Sequence, residues 1–76
     1  MKEKIDEKID ERVQWAEWRI ESLGRIMTEL VRLYKEGRYW EAYFRVTALK
    51  DAAMDLESIF REIRVLYEIK EYARED

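Results

Sequence analysis

The residues that could carry chemistry in this chain are hydroxyls, carboxylates and arginines, because its 76 residues include no Cys and no His. The hydroxyl groups that could act as nucleophiles would have no histidine base to activate them. We therefore expect them to be ordinary hydroxyls of helix surfaces or interfaces; they belong to Ser22, Ser58, Thr28 and Thr47. Missing cysteine also removes disulfides and thiolate zinc sites and leaves the redox compartment open.

Carboxylates and arginines offer two further kinds of site. Carboxylate metal sites in helix bundles combine inward Glu residues with a His, so the sequence predicts no metal site. The acidic residues also fall outside the helix contact predicted below, which argues against paired buried carboxylates for acid and base catalysis. Arg19 and Arg45 flank that contact and could hold a dicarboxylate, although ion pairing at an interface edge is the simpler interpretation. We predict no enzyme activity, no cofactor and no small-molecule substrate.

Aromatic side chains cluster in the middle of the chain. They could form a binding box for a ligand, or they could pack around a turn and against a neighbouring subunit. We favour packing for this cluster, which consists of Tyr34, Tyr39, Trp40, Tyr43 and Phe44.

Composition and charge bound the class of protein. The chain is 47% hydrophobic and 43% charged, which predicts one folded domain spanning residues 1–76. A net charge of −3 argues against a nucleic-acid partner, because phosphate binding needs a basic surface. No apolar run approaches the roughly 18 residues of a membrane span, and the charged N-terminal segment is unlike a signal peptide. We expect a soluble protein, cytoplasmic if natural or when expressed, with no membrane partner.

One interruption divides the chain into two helices. The sequence contains no Pro, and only Gly37 has long periodic segments on both sides. Glycine suits the left-handed position that follows a helix end. The sequence therefore predicts an all-α, antiparallel two-helix hairpin with helices at about 3–36 and 39–74. A second glycine, Gly24, lies inside the first helix, where close approach of a neighbouring helix or a kink would explain it.

Apolar residues recur with alternating spacings of three and four in both helices, which is typical of a coiled-coil contact. Folding back at Gly37 brings residues whose numbers sum to about 76 to the same level, so that Leu23 faces Ala53. Small residues then lie opposite large ones. The predicted contact rows are Val13, Ala16, Ile20, Leu23, Met27, Leu30 and Tyr34 in the first helix, and Tyr39, Ala42, Val46, Leu49, Ala53, Leu56, Phe60, Ile63 and Tyr67 in the second.

Many apolar residues lie outside these rows, and the chain has no third helix to cover them. Exposed apolar patches usually mark interfaces, and the commonest partner of a short chain is another copy in closed symmetry. We predict a homo-oligomeric helical bundle, in the simplest case a dimer, with a trimer or tetramer as alternatives. The predicted subunit interface comprises Ala52, Ile59, Leu66 and Ala73 together with Trp40, Phe44, Met54 and Val65.

Two resemblances accompany this pattern. Residues 33–42, LYKEGRYWEA, resemble the turn within a tetratricopeptide repeat, with Gly37, Tyr39 and Ala42 at the family's Gly, aromatic and Ala positions. The family's Leu-Gly pair lies closer to the turn than Leu23 and Gly24 do here, so the resemblance implies shared turn chemistry only.

The broader resemblance is to de novo designed helical-hairpin homo-oligomers. It rests on two matched helices, on the absence of Pro, Cys and His, and on the many charged residues outside the contact rows. It implies a thermostable structural protein that assembles with itself. A small hyperthermophile or viral adaptor that receives a partner's helix on its apolar face is the natural alternative.

Overall fold

The computed structural model describes residues 2–74, and the side chains of residues 4–73. It consists of two helices, α1 at Lys2–Lys35 and α2 at Tyr39–Arg74, with no strand in the described part. The predicted hairpin is therefore confirmed, with helix ends within one residue of those expected. The molecule measures 59 × 14 × 12 Å, and its radius of gyration of 17.3 Å exceeds the ~11 Å of a compact domain of this length.

Gly37 terminates α1 as the sequence predicts. Its φ of +72° lies in the left-handed region, which glycine enters without a Cβ penalty. The N–H of Gly37 donates to the carbonyl of Tyr34 at 3.1 Å, and the N–H of Arg38 donates to the carbonyl of Leu33 at 2.9 Å. This pair of bonds is the Schellman motif, which satisfies carbonyls that the helix end leaves without partners. The chain therefore reverses direction within three residues, 36 to 38.

Arg38 directly precedes α2 and occupies the N-cap position, where Ser, Thr, Asp or Asn is usual. Its carbonyl accepts the first helical hydrogen bond, from the N–H of Ala42 at 3.0 Å. Its guanidinium bonds both carboxylate oxygens of Glu41 and one of Glu36. These hydrogen bonds raise the pKa of Arg38 above its ordinary value, and the bonds to Glu41 have the largest effect. Ion pairs between side chains therefore stabilise the turn, where α2 has no conventional N-cap residue.

Each helix contacts the other through two rows of residues. Residues within a row are seven apart, and the two rows of a helix together give alternating spacings of three and four. In α1 one row is Ile9, Ala16, Leu23 and Leu30, and the other is Ile5, Arg12, Arg19, Ile26 and Leu33. In α2 the rows are Ala42, Leu49, Leu56, Ile63 and Lys70, and Arg45, Ala52, Ile59 and Leu66; all of these are buried or half-buried except Arg19. Within the described residues, the hydrophobic side chains that are fully buried are Ile9, Ala16, Leu33, Ala42 and Ile63.

The predicted contact rows are therefore half wrong. The structure places the shared rows, such as Leu23 and Leu49, in the contact. It leaves the other predicted rows exposed, because each helix carries three adjacent apolar rows and a two-helix contact covers only two of them. The exposed residues are Val13, Ile20, Met27 and Tyr34 in α1, and Tyr39, Val46, Ala53, Phe60 and Tyr67 in α2.

The predicted levels of the two helices hold more closely. Four ion pairs join α1 to α2, and their residue numbers sum to 74 in three pairs and 76 in the fourth. The expected sum was about 76. Sequence pattern thus predicted the level of each residue but not the rotation of the helices about their axes.

Gly24 does not mark a close approach of the two helices. A Cβ at this position would meet nothing within 4 Å, and the residue is exposed. The hydroxyl of Thr28 donates to the Gly24 carbonyl at 3.0 Å, and α1 continues through this point. The expectation of close approach is therefore wrong within this chain.

Candidate functional site

An apolar face runs along one side of the hairpin. It consists of the rows that the predicted contact contained and the structure leaves outside: Val13, Ile20, Met27, Tyr34, Tyr39, Val46, Ala53, Phe60 and Tyr67. Apart from Ala53, which is also exposed, their exposed fractions lie between 43% and 66%. Residues seven apart in a helix lie on one line, so these side chains form one stripe on each helix.

Two contacts establish that both stripes belong to the same side of the hairpin. At the turn, the rings of Tyr34 and Tyr39 lie 6.3 Å apart, which joins the end of the α1 stripe to the start of the α2 stripe. At the open end, Asp6 continues the α1 stripe by one heptad, and its carboxylate lies 2.7 Å from the ammonium of Lys70. The apolar face therefore extends from the Tyr34–Tyr39 contact at the turn to the Asp6–Lys70 ion pair at the open end.

An ion-paired face occupies the opposite side. It is defined by the pairs Arg12 with Glu62, Arg19 with Asp55 at 3.7 Å, and Arg45 with Glu29 at 3.0 Å. The hydrogen bond that Arg12 donates to Glu62 raises the pKa of Arg12 above its ordinary value. The guanidinium of Arg12 also lies 4.1 Å from the ring centre of Trp15, a cation–π contact.

These ion pairs distinguish between dicarboxylate binding and ion pairing as the role of Arg19 and Arg45. Arg19 and Arg45 each face an acidic residue of the other helix, so the ion-pairing interpretation is confirmed for both. Their charges are matched within the chain, and largely exposed ion pairs of this kind contribute little to stability.

The predicted interface residues divide between two places. Ala52, Ile59 and Leu66 are half-buried in the row that faces α1, so α1 covers part of a row that we expected to be left for another subunit. Ala73 is exposed near the end of α2. The others form the outer face of α2, exposed at 47% to 77%: Trp40, Phe44, Met54 and Val65. Whether a subunit contacts them stays a prediction.

The outer face is less continuous than the apolar face. Along α2, polar or charged residues separate its apolar members, among them Thr47, Asp51, Ser58 and Arg61. At its N-terminal end Trp40 and Tyr43 lie 6.2 Å apart and Tyr43 and Phe44 lie 5.7 Å apart, both edge to face. These rings contact one another at the start of α2, beside the turn, and their packing against a neighbouring subunit stays a prediction.

Three of the four Ser and Thr hydroxyl groups form hydrogen bonds within their own helices. Thr47 donates to the carbonyl of Tyr43 at 3.4 Å, as Thr28 does to Gly24, and Arg25 donates to the hydroxyl of Ser22 at 3.2 Å. Among residues 4–73, whose side chains the structure describes, no group of three or more Asp or Glu side chains is arranged to hold a metal ion. Over the same range neither helix offers an apolar stretch of the kind that a bilayer crossing requires.

Comparisons of the chain with protein-family models, with curated proteins and with solved structures gave no significant match. The fold and its surfaces alone define the class of protein, a two-helix hairpin with one apolar and one ion-paired side.

Proposed function

We propose that the protein is a structural protein that acts by self-association, in which copies of the hairpin bury their exposed apolar surface against one another in a symmetric helical bundle. The observation that carries the proposal is the apolar face, whose eight larger side chains are 43% to 66% exposed. Monomeric proteins rarely leave a continuous apolar stripe of this length in water.

The thin core of the single hairpin supports the same proposal. Two of its five buried hydrophobic residues are alanines, and Leu33 is the one large side chain that is fully enclosed, at 1% exposure, among those described. Helical hairpins gain stability mainly by burying apolar side chains between helices. Association would supply the burial that one copy lacks, and this is the arrangement that the resemblance to designed hairpin oligomers implies.

Sedimentation equilibrium of the purified chain over a range of concentrations tests the proposal. We expect one defined mass that is a small multiple of 9.4 kDa, with helical circular dichroism. A helical species that stays at 9.4 kDa at every concentration would overturn it. Heterogeneous aggregates that resolve only when a helical peptide is added would also overturn it, in favour of an adaptor for a partner's helix.

A further inference from the structure

We infer that two copies meet through the apolar face and form a four-helix bundle whose ion-paired faces lie outside. This inference rests on the proposed self-association and names the surface, the partner and the number of copies. It moves the interface away from the outer face of α2, where sequence pattern alone placed part of it.

The apolar face is continuous with the existing core of the hairpin. Beside the apolar face lie Leu23, Leu30, Leu49 and Leu56, all half-buried. They belong to the inner row of each helix that adjoins the exposed stripe. A second copy on this side would cover both rows at once and join the two thin cores into one. Helices in four-helix bundles each bury such a broad apolar stripe, wider than the two rows of a coiled-coil pair.

The distribution of charged residues also favours the apolar face as the interface. Between the Asp6–Lys70 pair and the turn, the two rows of the apolar face contain no charged residue. The opposite side carries three interhelical ion pairs, and burying those would remove six charged groups from water in each copy at a large desolvation cost. The outer face of α2 is interrupted by Asp51 and Arg61. Of the three surfaces, the apolar face is the one that a partner covers without burying charge.

The area fits one partner of the same size. Aromatic side chains bury roughly 150–250 Å² each, so eight half-exposed aromatic and aliphatic side chains would bury about 700 Å² per copy. A stable dimer of ordinary size buries about 800 Å² per partner. The half-buried leucines would supply the difference. Because the face is used once in each copy, a two-fold axis closes the assembly at two copies.

Two valines of α2 allow a matched test. Val46 lies on the apolar face and is 49% exposed, whereas Val65 lies on the outer face and is 47% exposed. Both would be replaced by Lys. Val46→Lys places an unpaired ammonium in the interface of each copy, so the dissociation constant of the dimer should rise by about 100-fold or more. Val65→Lys keeps its ammonium in water and should leave the constant within about threefold of the wild type.

Analytical ultracentrifugation would measure the dissociation constants, with circular dichroism recorded at the same concentrations. Should Val46→Lys lose its helices altogether, Val46→Ala and Val65→Ala give the same comparison without charge, with a weaker dimer expected only for Val46→Ala. Three outcomes would overturn the inference while still supporting self-association. They are weaker association of the Val65 variants only, equally weaker association of the Val46 and Val65 variants, and unchanged association of both. A wild-type chain that is monomeric would overturn the proposed function itself.

Discussion

The carboxylate of Glu29 lies 3.0 Å from the guanidinium of Arg45, joining α1 to α2 on the ion-paired face. Arg45 occupies the same inner row as Ala52, Ile59 and Leu66. A charged residue thus stands where the pattern of the row calls for an apolar one. Its position at the edge of the contact lets the charge reach its partner while the stem lies against the helices.

Arg45→Leu should stabilise the protein. The Nε of Arg45 is buried and has no hydrogen-bond acceptor, and an unsatisfied buried donor is costly. Leucine would remove it and extend the apolar row, for an expected gain of about 1 kcal/mol. Urea unfolding measures the gain, with Arg61→Leu on the exposed surface as the control. A lower unfolding midpoint for Arg45→Leu would mean that the pair with Glu29 outweighs the unsatisfied donor.

Gly24→Ala should also stabilise the protein, by about 1 kcal/mol, because alanine is the better helix former. The new methyl group would meet nothing of this chain within 4 Å. The measurement is thermal unfolding at a fixed protein concentration. A loss of stability would show that a helix of another copy packs closely against Gly24.

The same substitution at Gly37 should have the opposite sign. At φ +72° an alanine has steric strain of about 1–2 kcal/mol, although a Cβ there would meet no neighbour within 4 Å. Unfolding experiments on Gly37→Ala should therefore show a loss of that size. Gly37→Asn is the control and should lose less, since Asn tolerates the left-handed region. Equal losses for both variants would count against strain as the cause.

The turn should weaken in acid. Hydrogen bonds from Arg38, and then from Arg32, lower the pKa of Glu36 from its ordinary value of 4.5. A carboxylate with a lowered folded-state pKa stabilises the fold above its unfolded pKa and loses that contribution as pH falls through the folded value. We expect the NMR titration midpoint of Glu36 to lie below 4.5. In Glu36→Gln the unfolding midpoint should depend less on pH below that value; an unchanged pH dependence would contradict this assignment.

Sequence pattern predicted the parts of this fold that depend on local chemistry. Gly37 was identified as the helix end because glycine enters the left-handed region without a Cβ penalty, and the levels of paired residues followed from the position of the turn. Neither depends on which side of a helix faces its partner.

The rotation of the helices could not be read from apolar spacing. The row of Ile20 and the row of Ile26 both adjoin the row of Leu23, and either could complete the contact. In the structure the row of Ile26 completes the contact, and Arg12, Arg19 and Arg45 form cross-helix ion pairs on that side. These pairs become visible only once the residues are placed in space. The candidate surface was misassigned for the same reason, since the residues expected inside the hairpin are those that form its apolar face.

Isotope-filtered NOE spectroscopy on a mixture of methyl-labelled and unlabelled chains would identify the residues that lie between two copies. Only contacts between different copies give signals in such a sample. A dimer joined through the apolar face should give intermolecular signals from the methyl groups of Val13, Ile20 and Val46 to the aromatic rings of that face, and none from Val65. Intermolecular signals from Val65 and Met54 with none from Ile20 and Val46 would contradict it.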